Sequence, residues 1–376
     1  MTEASSRPSP APALVRPSPP AGEETSAGRH ELLGPADPLA GAAGYAAAAR
    51  SARTWQAYCA DFRRFQRWCA AQTPCPSPLP ATPATVAAYL AAHATSHRPS
   101  TLARWCSALA VAHDLAGHPS PTRDPGVRTV LAGIRRTRRT RPDRVAAAGP
   151  PELRTMLDRL DPAHPRDARD RALILIGFAG ALRRSEIVAL TLADLVVDTD
   201  GLRVFIAASK TDPAGTGHTR GLAYGTHAAT CPVRAWQAWL AHRIASPVED
   251  PQQHPTPPAD RADPVPEPGA GSPSPSSPLV SGSAFVRVDR WGNLGAGALS
   301  PRSVALIVSA RAAAAGLPGH WAGHSLRRGF ATTAYRRGTP EIALMRHGRW
   351  RSTSAMRGYI DEGTVWIDNP TSVLGL

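Results

Sequence analysis

HSLRRGFATTAYRRGTPEIALMRHGRWRSTSAMRGYI, running from His324 to Ile360, is the stretch whose reading decides the fold. Arginines recur along it beside His324, Trp350 and Tyr359, and Glu341 is its single acidic residue. That mixture suits holding a phosphate and attacking it. A phosphodiester in transfer spreads negative charge over its oxygens, and fixed cationic forks neutralise it. A tyrosine serves as the covalent nucleophile when its phenol is aimed and its proton has somewhere to go.

The individual signals are common. With 13 His among 376 residues in an arginine-rich chain, chance alone places about one His-x-x-Arg. By themselves, His324 and Arg327 read as a helix-face pair bound to backbone or solvent. The combination separates the readings. Trp350 lies nine residues before Tyr359, and Arg327 lies 32 before it. Far upstream, Gly180-Ala181-Leu182-Arg183-Arg184-Ser185-Glu186 offers another arginine at a turn ahead of an apolar helix. Of the 43 basic residues, Lys210 alone is lysine. Arginine essentially never gives up its proton, whereas a lysine does so when its surroundings lower its pKa. A lone lysine at a hairpin tip therefore reads as a proton donor, the alternative being a leftover of no consequence.

Arg183 within GALRRSEI, Lys210 within SKTD, His324 and Arg327 within GHSLRRG, Trp350, and Tyr359 within RGYI together resemble the active-site set of the tyrosine recombinases, the phage integrase family. The resemblance runs over roughly residues 50 to 365, in matching order and spacing, interrupted by a proline-rich insertion. It implies a mainly α fold with a small antiparallel β-sheet: a helical N-terminal core-binding domain, then the catalytic domain. Many members carry histidine where Trp350 stands, and a minority carry tryptophan. His347, three residues earlier, is the rival, and the distance to Tyr359 favours Trp350.

The net charge is +14 with a sequence pI near 10.7, which points to an anionic polymer as partner; a GC-rich coding sequence would also enrich arginine. Cys59, Cys69, Cys75, Cys106 and Cys231 form no C-x-x-C pair and no metal-ligand spacing. They read as free thiols in a reducing compartment. With no signal-peptide core and no long apolar run, the expectation is a cytoplasmic, DNA-associated protein with no membrane partner.

Residues 1–48, rich in Pro, Ala and Ser, are expected to be a disordered arm. Trp55, Tyr58, Phe62, Phe65 and Cys69 recur at three and four, the stripe of an amphipathic helix. Thr82-Pro83 opens a second helix, Thr101–Ala116 forms a third and Val127–Ile134 a fourth, giving a helical domain over 49–134. A basic linker, 135–150, contains Arg135, Arg136, Arg138, Arg139 and Arg141, solvated or touching phosphate. The catalytic domain, 151–376, is expected to hold helices at Glu152–Leu160 and Arg169–Ala179, the latter ended by Gly180. Glu186 reads as an internal partner for an arginine or a backbone amide. Strands are expected at Leu195–Val197, Leu202–Ile206 and Gly221–Tyr224, with Lys210 at the tip between the last two. A disordered proline-rich insertion is assigned to 246–278, and Ser300-Pro301 opens another helix. Val365, Trp366 and Ile367 form an apolar patch that folds back or, by the resemblance, docks on a neighbouring subunit.

By the resemblance, Arg183 and Arg327 clamp the scissile phosphate, with His324 and Trp350 adding donors. Tyr359 forms a 3′-phosphotyrosyl link and Lys210 protonates the departing 5′-hydroxyl, with no metal and no nucleotide cofactor. Double-stranded DNA is the implied partner, bound by a homotetramer on paired sites. Tyr335 is the rival nucleophile. A type IB topoisomerase would relax supercoils without strand exchange, and a DNA-binding protein that has lost catalysis would give no covalent adduct. A metal-dependent nuclease would stop in chelator.

Overall fold

The computed structural model describes residues 49–138, 144–207, 216–246 and 282–360, together with residues 371 and 374. The N-terminal arm, Lys210, residues 247–278 of the insertion and the Val365–Ile367 patch lie outside the described residues. The chain divides into two compact units, residues 1–142 and 143–376. Among the described residues no helix is long and apolar enough to cross a membrane.

Among the described residues the first unit holds four α-helices: α1 (Ala52–Ala70), α2 (Pro83–Ala92), α3 (Pro99–Leu115) and α4 (Pro125–Thr137). Their starts follow from side chains that accept otherwise orphaned amides. Ser51 accepts from Thr54 N, Thr82 from Thr85 N and Asp124 from Gly126 N, each cap contributing about 1 kcal/mol. Phe62, Phe65 and Cys69 from the aromatic stripe are sealed with Val86, Tyr89, Leu90, Leu102, Trp105, Leu109 and Val127. Arg63, Arg64 and Arg67 face outward. The last helix continues past Ile134 to Thr137, so Arg135 and Arg136 belong to it and not to a linker. Arg138 caps it and donates from Nη2 to Thr95 O at 2.7 Å.

The second unit is built around α6 (Pro165–Ala179), whose residues Ala168 to Gly177 are buried apart from Arg171. It begins one turn earlier than Arg169, because Pro165 sits where a missing amide costs nothing. For the same reason α5 spans Pro150–Leu157 rather than starting at Glu152. Next come α7 (Arg184–Ala189) and three antiparallel strands in sequence order, β1 (Leu195–Asp198), β2 (Gly201–Ile206) and β3 (His218–Ala223). In β2, Leu202, Val204 and Ile206 point inward while Arg203 and Phe205 are exposed, the period of two expected of a half-buried strand. The third strand starts three residues before Gly221 and stops before Tyr224, which is exposed.

A helix α8 (Pro232–Ala245) and a hairpin of β4 (Val286–Val288) and β5 (Leu294–Ala298) were not anticipated. Trp236 and Trp239 of α8 are fully buried, and Trp239 Nε1 donates to Ala284 O at 2.8 Å. The chain closes with α9 (Pro301–Ala314), α10 (Gly323–Arg336), α11 (Glu341–Gly348) and α12 (Thr353–Ile360). Arg311 on α9 reaches Asp170 at 2.6 Å and Asp167 at 2.5 Å, pinning α9 to α6. Gly329 lets α10 lie against the 148 backbone, since a Cβ there would fall 2.0 Å from Ala148 O.

Candidate active site

Arg183 leaves a tight turn at the end of α6. Gly180 caps that helix in a right-handed conformation, and the left-handed residue is Ala181 (φ 47). Glycine is needed at 180 for space rather than for its backbone angles: a Cβ would lie 2.9 Å from Ile176 O and 3.0 Å from Leu182 Cγ. Arg183 is the N-cap of α7, and Glu186 holds it twice. The backbone amide donates to Oε2 at 2.8 Å and Nη1 donates to Oε1 at 2.6 Å. Burial alone would raise the Glu186 carboxyl, but the Arg183 amide and guanidinium, with Arg220 behind them, outweigh it and hold the acid below its ordinary range. Glu186 is therefore ionised and spends itself on aiming Arg183.

Arg327, on α10, is almost completely buried. Nη1 donates to Ala181 O and Nη2 to Gly348 O, the latter at 2.6 Å, so one guanidinium ties α10 to the Arg183 turn and to the end of α11. Burial lowers its pKa to about 10, with Arg183 adding to the shift and Tyr359 and Glu186 opposing it. It stays charged at neutral pH, with Nε lacking a hydrogen-bond partner among the described residues. His324, one turn earlier, is at the exposed rim. Crowding by protein atoms, then the cations Arg184, Arg327 and Arg183, push its pKa down and keep the imidazole neutral.

Arg349 follows α11 in a left-handed conformation (φ 52, ψ 51) and turns the chain so that Trp350 faces Arg327. The guanidinium carbon of Arg327 stands 4.2 Å from the Trp350 ring centroid and 5.9 Å from that of Tyr359. The two rings meet edge-on, with centroids 5.6 Å apart and planes at 61°. Gly348 makes room for the indole, because a Cβ would overlap the ring at 1.8 Å. The Trp350 Nε1 is buried and has no protein partner among the described residues, so its N–H is available to an incoming acceptor. Tyr359 is half-buried near the end of α12, its backbone oxygen accepting from Thr332 Oγ1 at 3.1 Å.

His347 Nε2 lies 2.8 Å from Ala179 O, and its ring stacks on Phe330 at 4.8 Å, so it braces the end of α6. Tyr335, like Tyr359, packs on the apolar cluster of Ala331, Leu344, Trp350 and Met356. Five of the six expected residues thus fall in one region, with Arg183 held to Arg327 through the Ala181 turn; the sixth, Lys210, lies outside the described residues. Arg220, His218 and Arg349 were missed. Arg220 is buried on the core face of β3 beside Glu186, Arg327, Arg183 and Arg349. Arg183, Arg220 and Arg327 all interact with the one carboxylate of Glu186, leaving a surplus of positive charge that suits a bound phosphate.

Comparison with known proteins gives the family and the fold. Residues 150–364 match the phage integrase family. The integrase/recombinase xerD homolog of Selenomonas ruminantium is 32% identical over 320 residues, spanning 84% of this chain and 83% of its own. Two solved structures show the same fold at low identity. The XerH site-specific recombinase in its post-cleavage complex with palindromic difH substrate has a TM-score of 0.53 at 15% identity, over 85% of this chain and 79% of that one. The lambda integrase tetramer bound to a Holliday junction has a TM-score of 0.52 at 13% identity, over 85% and 74%. With the matched family region covering more than half the chain, this protein belongs to the phage integrase family and is a tyrosine-type site-specific DNA recombinase.

Proposed function

We propose that Arg183 and Arg327 clamp the two non-bridging oxygens of a scissile DNA phosphate, and that Tyr359 attacks its phosphorus. The observation that carries this reading is the convergence of Arg327 on the Trp350 and Tyr359 rings, its guanidinium carbon 4.2 Å and 5.9 Å from their centroids. A guanidinium pinned by two carbonyls loses little freedom when the phosphate arrives, and that preorganisation is worth most in a site sheltered from water. Neutral His324 and the indole N–H of Trp350 supply further donors. The Tyr359 oxygen gives up its phenol proton to solvent and bonds to phosphorus as the bond to the 5′-oxygen breaks, leaving a 3′-phosphotyrosyl link. Lys210 gives its proton to the departing 5′-oxygen, which leaves as a hydroxyl. A 5′-hydroxyl from the partner strand then attacks the link and releases Tyr359, so the phosphodiester energy is conserved.

The four-helix unit, with Arg63, Arg64 and Arg67 exposed along α1, acts as a second hold on the duplex. Its contacts go to phosphates, which give affinity and salt dependence rather than sequence choice. Assembly as a tetramer on paired sites follows from needing four strand cuts, and the lambda integrase structure with the same fold is a tetramer. The test is covalent capture on a nicked suicide duplex, followed by mapping of the DNA-linked peptide. The linked peptide is expected to contain Tyr359; linkage through Tyr335 would overturn the assignment.

A further inference from the structure

We propose that Arg220 is a positioning residue that sets the aim of Arg183. The inference rests on the reading of Arg183 as a phosphate clamp. Arg220 alternates onto the inner face of β3 with Leu222 and pairs across the ladder with Val204, which is also inward. A guanidinium at a core position of a strand is costly to bury, and nothing in the strand pattern asks for one. Its contacts explain its presence.

Arg220 Nη1 donates to Gly180 O, and Arg327 Nη1 donates to the next carbonyl, Ala181 O. The turn that leads into Arg183 is therefore held from two directions, by the sheet through Arg220 and by α10 through Arg327. Arg220 Nε donates to His218 Nε2 at 3.1 Å, and the other imidazole nitrogen faces Arg349 Nη1. A neutral imidazole accepts at one nitrogen only, so the His218 tautomer decides which of the two arginines it accepts from. Arg220 Nη2 is buried without a partner among the described residues.

The second route is electrostatic. Glu186 is held ionised chiefly by Arg183, with Arg220 contributing from behind. Sharing the carboxylate with Arg220 leaves the Arg183 guanidinium less committed to Glu186 and freer to turn its remaining donors toward phosphate. Remove Arg220, and two things change together: the Gly180 peptide loses its tether, and Glu186 draws Arg183 inward. Both act on the chemistry through Arg183 and neither involves contact with the DNA.

The test is a double-mutant cycle on the full-length protein, using a nicked duplex that carries the site recovered from DNA covalently captured by the wild type. Arg220→Gln is expected to bind this duplex within about threefold of wild type while covalent capture in a single turnover slows roughly 10- to 100-fold. In an Arg183→Ala background, followed over long incubations, Arg220→Gln is expected to cause no further slowing. A wild-type capture rate for Arg220→Gln overturns the inference, as does a loss that multiplies with that of Arg183→Ala. If Arg183→Ala alone captures DNA at the wild-type rate, the clamp reading fails and this inference fails with it. Should Arg220→Gln not fold, Arg220→Lys replaces it, keeping the buried charge without the fork. Slowed capture that is again non-additive supports the inference, and a wild-type rate from folded Lys variant overturns it.

Discussion

Arg327 stands with its guanidinium carbon 4.2 Å over the centroid of Trp350, while its two terminal nitrogens are spent on the carbonyls of Ala181 and Gly348. This relationship fixes three chain segments about one charge: the Arg183 turn, α10 and the α11–α12 junction. Which of them serves stability and which serves chemistry is a question of magnitudes.

Arg327→Met separates the two. Losing the guanidinium leaves two carbonyls unpaired, at about 1–3 kcal/mol each. It also relieves the cost of a buried cation beside Arg183, which is of similar size and opposite sign. The thermal stability is therefore expected to change by less than about 2 kcal/mol while covalent capture falls by roughly 10³-fold. Calorimetry and single-turnover capture on the same preparation check this.

Trp350 and His347 are expected to divide by role. Trp350→Phe keeps a ring beneath Arg327 and removes the buried N–H, so stability is expected to drop by about 1 kcal/mol and capture by roughly 10²-fold. His347→Ala removes the hydrogen bond to Ala179 and the stack on Phe330, costing about 1–2 kcal/mol. Its capture rate at saturating DNA should stay near wild type. The reverse pattern would make His347 the donor.

Glu186 gives a pH signature with a definite sign. Its carboxyl is held below its ordinary value of 4.5 in the folded protein, so its stabilisation is fully present above that value and is lost as pH falls through the depressed one. Glu186→Gln is expected to lower stability by about 2 kcal/mol at pH 7. The gap should close as pH falls through the depressed folded value, where the wild-type carboxyl is also neutral. A gap that persists into acid would mean that shape, and not charge, is what Glu186 provides.

The segment between Ser246 and Gly282 should be removable. Its two flanks are fastened together where Arg243 Nη2 donates to Ser283 O at 3.2 Å and Trp239 Nε1 donates to Ala284 O at 2.8 Å. Replacing residues 247–281 with a short Gly/Ser linker shortens the loop several-fold, which favours folding by about 1 kcal/mol. Thermal melting at or slightly above wild type, with unchanged capture, is the expected result.

Much of this architecture was legible in the chain, for local reasons. Thr82 and Ser300 announce helix starts through amides their side chains accept, and the Phe62-Phe65-Cys69 stripe fixes which side of α1 is buried. Glu186 was readable as an internal partner because its spacing from Arg183 fits a helix start. The prolines at 150 and 165 moved two helix starts upstream, a boundary effect that apolar periodicity does not register. Helix α8 was missed although Trp236 and Trp239 sit three apart after Cys231-Pro232.

Arg220 carries no signal in a chain where arginine is the default cation; only its burial on β3 distinguishes it. The choice between His347 and Trp350 depended on which way a left-handed arginine turned the chain, and spacing supports one answer without fixing it. In the sequence Gly180 reads as the turn-former, whereas Ala181 takes the left-handed angles and Gly180 supplies only room.

The most direct test of the central claim is covalent capture by Tyr359→Phe on a nicked suicide duplex. Phenylalanine keeps the ring against Trp350 and removes only the hydroxyl, so folding and DNA affinity should match wild type. The account predicts that no protein–DNA adduct forms at any incubation time. An adduct from the folded variant at a rate near wild type would contradict it.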